Sequence, residues 1–325
     1  MNIFVIITAW LSVAVFAVMA VYRFIKFAAM PLHLRWELYP VAHESREKRR
    51  YGGSYMEEMD WVKRPRRRSL SGEISSMLAE IFFLHRVREH NRHGIWIFSI
   101  CMHWGIYLFA AWIALLAAGT FFESDAMSRV ANITGVAAFV MGASGSLMLA
   151  VKRVAERGLR LYTAPVDYFN LMFLFAVFAT GLASWFADPG LAGSRAYVKG
   201  VISFTPVSVP PLTILNFMLL QLFLVYMPFT KLFHYIAKYF TFHKVMWDDA
   251  FKVKGSPVDK KIVEQLSYRV TWAAPHIAPD MTWLQQAQIT DVAEAEAAPS
   301  PPRRVPDTAA PSEQQHAAGA GETGE

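Results

Sequence analysis

The chain has 325 residues, of which 54% are hydrophobic, and its formal net charge is +6 at pH 7. This apolar share exceeds that of ordinary soluble domains. The single cysteine, Cys101, excludes an internal disulfide, a cysteine-ligated iron–sulfur cluster within the chain and a covalently attached haem. The basic residues flank apolar stretches without any recognisable nucleic-acid-binding motif, so the positive charge does not indicate a nucleic-acid partner.

Five stretches are apolar and long enough to cross a bilayer, which takes about 20 helical residues. They are residues 3–22, 95–122, 130–151, 168–186 and 209–234, the last running on helically toward His234. The first stretch has neither a positively charged start nor a small-residue cleavage site, so we interpret it as a retained helix and not as a signal peptide. The sequence therefore predicts an all-α polytopic membrane protein, with a five-helix domain over residues 1–245.

Lysine and arginine crowd one side of these predicted spans. The crowded parts are residues 23–92, 152–160 and those after residue 231. The two other loops carry only three basic residues, Arg129, Arg195 and Lys199. The positive-inside rule places the crowded side in the cytoplasm. We therefore expect a bacterial inner-membrane protein with its N-terminus outside, a cytoplasmic loop over residues 23–94 and a cytoplasmic C-terminus.

The cytoplasmic parts differ in composition along the chain. Within the loop, a helix is predicted at about residues 74–88, after a capping-like Ser71. Residues 246–290 combine aromatics, prolines and mixed charge, which is typical of a segment that docks a partner. Residues 291–325 have almost no large apolar side chain, so they cannot bury enough surface to fold alone and are predicted to be disordered.

Three of the ten histidines lie at or inside the predicted spans. His93 is at the mouth of the second span, His103 is ten residues deeper, and His234 ends the fifth span. On a continuous helix His93 and His103 would differ in depth by about 15 Å. His234 lies at the cytoplasmic end of its span, as His93 does, so we expect these two at about the same depth. Two imidazoles on facing helices can bind one haem iron. The alternative for each is an interfacial histidine that hydrogen-bonds lipid or backbone.

Several sequence features together carry a family resemblance. They are the ten-residue interval from His93 to His103, Gly142-Ala-Ser-Gly followed by Lys152-Arg153, Asp167 and Gly181 around the fourth span, and Leu222-Phe-Leu-Val-Tyr-Met-Pro-Phe-Thr-Lys-Leu-Phe-His234. In them the chain resembles, over residues 90–245, the gamma subunits of respiratory nitrate reductases, which are five-helix dihaem cytochromes b. This resemblance implies a haem b held by His93 and His234 near the cytoplasm.

The resemblance also implies a second, distal haem b, held by His103 and by a histidine eighteen residues before His234. That position is Asn216 in this chain, and a carboxamide is a poor haem ligand. Three outcomes stay open: a five-coordinate haem on His103, ligation by a methionine such as Met218 or Met227, or no distal haem, with His103 bonded to a quinone oxygen.

Two further segments resemble one subgroup of these cytochromes. Trp36-Glu-Leu-Tyr-Pro-Val-Ala-His43 and the tail from Trp247 to His276 are similar to parts of membrane cytochromes of sulfate-reducing bacteria, from the tetrahaem cytochrome c complex and the sulfite-reduction-associated complex. This implies menaquinone or another quinone as substrate, a cytoplasmic iron–sulfur subunit similar to heterodisulfide reductase, and a periplasmic multihaem cytochrome c. The chain would be the quinone-reactive subunit that transfers electrons in such a respiratory complex.

Other functions remain as alternatives. The spacing of His85, His90 and His93 resembles one histidine box of membrane di-iron desaturases, although no box of two adjacent histidines is present. A non-redox membrane anchor or a transporter is another interpretation. Four tryptophans are candidates for the edge of a quinone site or for interfacial packing: Trp96, Trp104, Trp112 and Trp185.

Overall fold

A computed structural model describes residues 1–29, 44–51, 53–54, 57–63, 69–122, 124–240, 253–274 and 277–289. The chain forms two compact units, Met1–Ala250 and Phe251–Glu325. The segment from Trp36 to His43 and the predicted disordered tail at 291–325 lie outside the described residues.

The described secondary structure is helical, with two isolated β-bridges and no strand. In chain order the helices are α1 (Ile3–Ala29), α2 (Arg46–Tyr51), α3 (Leu70–Phe83), α4 (His85–Glu89), α5 (Trp96–Gly119), α6 (Asp125–Ala155), α7 (Arg157–Leu161), α8 (Pro165–Ala187), α9 (Ala192–Ile202), α10 (Pro211–Tyr226), α11 (His234–Lys238), α12 (Pro257–Ser267) and α13 (Trp283–Gln288). Helices α1, α5, α6, α8 and α10, the last with its continuation to Phe229, are long and apolar enough to cross a membrane. The predicted all-α polytopic bundle is confirmed.

Glycines allow α5 and α6 to pack backbone to backbone. A Cβ on Gly105 would lie 2.4 Å from the backbone nitrogen of Gly142, and one on Gly145 would lie 2.4 Å from that of Met102. Any side chain at these positions would force the two helices apart. Close approach through small residues is how membrane helices gain van der Waals contact, since lipid gives no hydrophobic drive between them. The Gly-Ala-Ser-Gly motif therefore has a packing role.

Aromatic rings fill the bundle beyond this crossing. Trp112 is fully buried, with its ring centroid 5.0 Å from Phe139 and 6.0 Å from Phe217. Phe217 in turn stacks on Tyr197, at 3.9 Å and an interplanar angle of 10°. Phe178 lies against Gly142, where a Cβ would come within 2.5 Å of its ring. We call this cluster the aromatic end of the bundle.

The start of α1 lies beside the end of α9. The N-terminal amine of Met1 donates to the Val207 carbonyl at 2.7 Å, and Trp10 Nε1 donates to the Val201 carbonyl at 3.0 Å. Lys231 meets Asp167 at 3.2 Å, which joins the segment after α10 to the first turn of α8. These contacts fix which helix ends share a side of the bundle.

The second unit holds α12 and α13. An antiparallel bridge joins Arg269 to Thr282, and Val270 is almost fully buried. Apolar side chains also remain on its surface, including Val263, Trp272 and Leu284, which are 60%, 50% and 51% exposed. The unit therefore has a small interior and several apolar side chains on its surface.

Candidate functional site

Two of the three candidate histidines lie next to each other, with their rings in a T-shaped arrangement. The ring centroids of His103 on α5 and His234 at the start of α11 are 6.1 Å apart, with an interplanar angle of 71°. Tyr107, one turn further along α5, has its ring centroid 6.3 Å from that of His103. The three side chains form what we call the histidine end of the bundle.

The hydrogen bonds of the two imidazoles show which nitrogen of each ring carries the proton and which keeps its lone pair. Nδ1 of His103 lies 2.7 Å from the Ser99 carbonyl, and Nδ1 of His234 lies 3.2 Å from the Lys231 carbonyl. A carbonyl oxygen only accepts, so each Nδ1 carries the proton and donates it. Each Nε2 then keeps its lone pair. Metal-ligating histidines are usually oriented in this way, by a bond from the second ring nitrogen to a carbonyl or carboxylate.

An irregular backbone brings His234 to this position. The expectation that the fifth span runs helically to His234 is wrong, because α10 ends at Tyr226 and two 3-10 turns follow, Met227–Phe229 and Lys231–Phe233. Pro228 lacks an N–H to continue the α-helix. Between the turns, Thr230 is extended, at φ −124° and ψ 177°, and its hydroxyl accepts from Leu232 N at 3.3 Å. Helix α11 therefore starts in a new direction.

The structure brings His103 to His234, and places His93 with other residues. The expected helical register from His93 to His103 is wrong, because α5 begins only at Trp96 and Gly94 is left-handed at φ +64°. His93 Nδ1 instead pairs with the Glu156 carboxylate, whose other oxygen is 3.1 Å from Lys152 Nζ. The hydrogen bond from His93, followed by that from Lys152, lowers the pKa of Glu156. His93 thus joins the segment before α5 to Glu156, the residue between α6 and α7.

Helix α3 is attached to α5 by three aromatic donors. Trp96 Nε1 donates to the Phe83 carbonyl at 2.8 Å, Trp104 Nε1 to that of Phe82 at 3.0 Å, and the Tyr107 hydroxyl to that of Ile81 at 2.8 Å. The last carbonyls of a helix have no partner within it. The role of Trp96 and Trp104 is therefore structural here, at the side of α5 that carries His103.

The predicted helix at residues 74–88 is in fact two helices. Leu84 is left-handed at φ 49°, so α3 ends at Phe83 and α4 begins at His85. Beside this break, Glu80 is 5% exposed and forms an ion pair with Lys238 of α11. Its second oxygen accepts from Arg86 N at 2.9 Å. Sequence reasoning missed Glu80; the only signal was a carboxylate within an otherwise apolar helix end.

Asn216 has a different environment from the histidine pair. Its side chain is 2% exposed, and Nδ2 donates to the Val177 carbonyl at 2.6 Å and to Thr180 Oγ1 at 3.0 Å. Both partners belong to α8, so Asn216 faces α8. Met218 and Met227 pack against the aromatic core.

The three histidines of the predicted di-iron box each face a separate partner. His85 Nε2 lies 3.1 Å from Glu89, His90 Nδ1 lies 3.2 Å from the Arg86 carbonyl, and His93 pairs with Glu156. Among the residues that the structure describes, no group of three or more His, Cys, Asp or Glu side chains is placed to hold a metal ion. The described geometry gives the di-iron alternative no support.

The sequence is similar to that of a known cytochrome b-like subunit. Over 271 residues, 71% of this chain and 76% of the relative, it is 22% identical to the Hdr-like menaquinol oxidoreductase cytochrome b-like subunit of Archaeoglobus fulgidus. No protein-family profile matches the chain, and no solved structure matches it. With its five apolar helices, the chain is a membrane protein similar to a cytochrome b-like subunit.

Proposed function

We propose that the chain is the membrane cytochrome b subunit of a respiratory oxidoreductase complex, with one haem b between His103 and His234. The observation that carries this is the pair of imidazoles 6.1 Å apart, each with Nδ1 bonded to a carbonyl. Haem supplies one-electron chemistry when it is bound, and axial ligands and nearby hydrogen bonds set its potential. Nothing in this arrangement favours a transporter or an inert anchor.

The spacing of the two rings fits a metal between them. Imidazole–metal bonds are about 2 Å long, so two such bonds and the two ring radii give a centroid separation of about 6 Å. The His103 and His234 rings have this separation. Their Nε2 atoms are unprotonated, as ligation requires. These two residues would hold a six-coordinate, low-spin haem b.

The residues around Asn216 do not fit a second haem. Asn216 is committed to α8 through two hydrogen bonds, and His103 already faces His234. Trp112, Phe217 and Tyr197 occupy the neighbouring interior in ring-to-ring contact. We therefore propose one haem b per chain, without a distal haem on His103 and either methionine.

The proposed substrate is menaquinol or menaquinone. The Archaeoglobus relative is a menaquinol oxidoreductase subunit by name, and the present chain has five helices long and apolar enough to reach a quinone pool in a membrane. Menaquinol oxidation releases electrons together with protons, and the reverse reaction consumes both. In the proposed role the chain couples this chemistry in the membrane to partner subunits, a cytoplasmic heterodisulfide-reductase-like iron–sulfur subunit and a periplasmic multihaem cytochrome c.

We further propose that the second unit docks the iron–sulfur partner. Its exposed Val263, Trp272 and Leu284 supply apolar contact area of the kind that interfaces bury. Deleting residues 246–325 should release the partner and leave the haem spectrum intact, whereas deleting residues 291–325 should have little effect. Co-purification of an unchanged complex after the larger deletion would contradict this docking role.

The proposed orientation follows the basic residues. Lys152, Lys231 and Lys238 lie on the side of the bundle that carries the histidine end, and Met1 lies with α9 on the other side. A reporter fused after Glu325 should be active only in the cytoplasm, and one placed near Glu123 only outside. The opposite pattern of reporter activity would show that the bundle has the reverse orientation in the bacterial inner membrane.

Haem content per chain tests the central proposal. Pyridine haemochrome analysis with protein quantification should give one haem b in the wild type. His103→Ala and His234→Ala should each lose the haem or turn it high-spin, whereas His93→Ala should keep it, as should the surface control His85→Ala. Loss in His93→Ala with retention in His103→Ala would restore the ligand pairing that the nitrate reductase resemblance implies. A wild type without haem would refute the cytochrome function itself.

A further inference from the structure

His234 lies on a segment that cannot hold its own position. Two 3-10 turns and the extended Thr230 separate it from α10, and the helical run that begins with α11 is described for seven residues, to residue 240. Helices this short are marginal without tertiary contacts. Any function that needs His234 at a fixed distance from His103 therefore needs an external support.

One support comes from α3. Its last three carbonyls accept hydrogen bonds from Trp96, Trp104 and Tyr107, so the end of α3 is fixed on the same helix that carries His103. Aromatic contacts reinforce this attachment, with the Phe82 ring centroid 6.0 Å from those of both Trp104 and Tyr107. Helix α3 thus has a defined position relative to His103 and can support a neighbouring segment; we call it the α3 mount.

Glu80 joins this mount to α11. Its carboxylate pairs with Lys238, four residues after His234, which is one helical turn. The side chain of Glu80 is 6% exposed, and its second oxygen is bonded to Arg86 N. A buried carboxylate with both oxygens engaged has little freedom to move. The ion pair therefore transmits the position of α3 to the turn that carries His234.

The residues that follow α11 make a second contact. The ring of Phe240 lies 5.2 Å from that of Phe24 and 6.2 Å from that of Phe27, both on α1. These apolar contacts restrain the segment without defining its rotation. Glu80–Lys238 adds a directional, charge-assisted contact to them.

We infer that α3 holds the segment of residues 231–238, which carries His234, in position, and that Glu80 is a positioning residue for His234 that acts through Lys238. This inference rests on the proposed function. Glu80 is bonded to Lys238 and to Arg86 N, and through Lys238 it would hold His234 where Nε2 could bind the haem iron.

The test uses Glu80→Gln in the full-length chain purified in detergent. Glutamine keeps an oxygen for Arg86 N and removes the charge that pairs with Lys238. We expect a mixture of low-spin and high-spin haem by electron paramagnetic resonance, and haem transfer to apomyoglobin about tenfold faster than in the wild type, since the charge-assisted contact between α3 and α11 is lost. Glu73→Gln on the same helix is the matched control and should behave as the wild type.

Three further variants separate positioning from general stability. The exchange Glu80→Lys with Lys238→Glu should restore the low-spin signal, and Lys238→Gln alone should reproduce Glu80→Gln if the latter accumulates poorly. In a His234→Ala background, Glu80→Gln should change the spectrum no further. A wild-type spectrum and haem-transfer rate in both single variants would refute this positioning role alone, whereas a wild type without haem would refute the proposed function.

Discussion

Helices α5 and α10 both contribute to the aromatic end, whereas the histidine end is built by α5 and by the segment that follows α10, and the two ends are constructed in opposite ways. At the histidine end the fifth span breaks into 3-10 turns, and α3 and α11 add polar groups. At the aromatic end both helices are regular, and Trp112, Phe217 and Tyr197 stack in the interior. In a membrane, irregular backbone is tolerated only where protein or a cavity covers it. The irregular end is thus where a functional site is expected.

Asn216 shows what this difference means for cofactor number. A polar side chain in a span is costly unless it is bonded, and Asn216 meets that need by donating twice to α8. The position that the resemblance assigns to a second ligand has become part of the helix packing. The chain thus has an asparagine in place of the implied second haem ligand, and aromatic side chains fill the interior beside it.

The largest effect is expected when the aromatic end is emptied. Trp112→Ala should destabilise the bundle by about 3–5 kcal/mol, because it leaves a cavity among Phe109, Phe139 and Phe217. Trp112→Phe is the matched control: among the residues that the structure describes, none accepts a hydrogen bond from Trp112 Nε1, so little beyond ring volume is lost. Thermal unfolding in detergent measures both. Haem loss at lower temperature than unfolding in Trp112→Ala would show that the two ends are not independent.

The difference between the two ends can be tested directly by placing at position 216 the histidine that the family resemblance implies there. Asn216→His should not raise haem content above one per chain and should destabilise the bundle by about 1–3 kcal/mol, since the larger ring has to displace packed neighbours. Asn216→Leu, without a ligand atom, serves as the control. Quantified haemochrome spectra decide the outcome. A second haem in Asn216→His alone would show that the aromatic packing yields to a cofactor.

A smaller effect is expected at the α3 mount. Tyr107→Phe removes the hydroxyl that donates to the Ile81 carbonyl and keeps the ring, at a cost of about 1 kcal/mol. The exposed Tyr162, changed to Phe, should cost nothing measurable. Denaturation midpoints in detergent compare the two. Equal midpoints would mean that the ring contacts of α3 suffice without the hydrogen bond.

The smallest effect concerns pH. The pKa of Glu156 is lowered from its ordinary value of 4.5 by its bond to His93, so its stabilising contribution is present above that value and is lost as pH falls through the lowered pKa. Glu156→Gln should therefore melt below the wild type at neutral pH, and the two should converge at acidic pH. Melting curves across this range provide the measurement. A difference that grew on acidification would contradict the sign of the shift.

The sequence by itself determined the parts of the protein that depend on composition and on local patterns. The five apolar runs predict five membrane helices because about 20 apolar residues in a row have no comparable place in a soluble domain. Gly142 and Gly145 indicated a motif, and Asn216 marked the missing second ligand. His103 and His234 were both identified as ligand candidates because ionisable side chains are rare in spans.

Only the tertiary structure decided which histidines meet. A rise per residue gives matched depths only along unbroken helices, and the chain breaks its helices at Gly94 and between Pro228 and Thr230. Those breaks move His93 into a pair with Glu156 and turn His234 toward His103. Long-range contacts such as Glu80–Lys238, 158 positions apart, leave no periodic trace in a sequence. Their existence depends on how the helices cross, and that depends on packing between side chains from every part of the bundle.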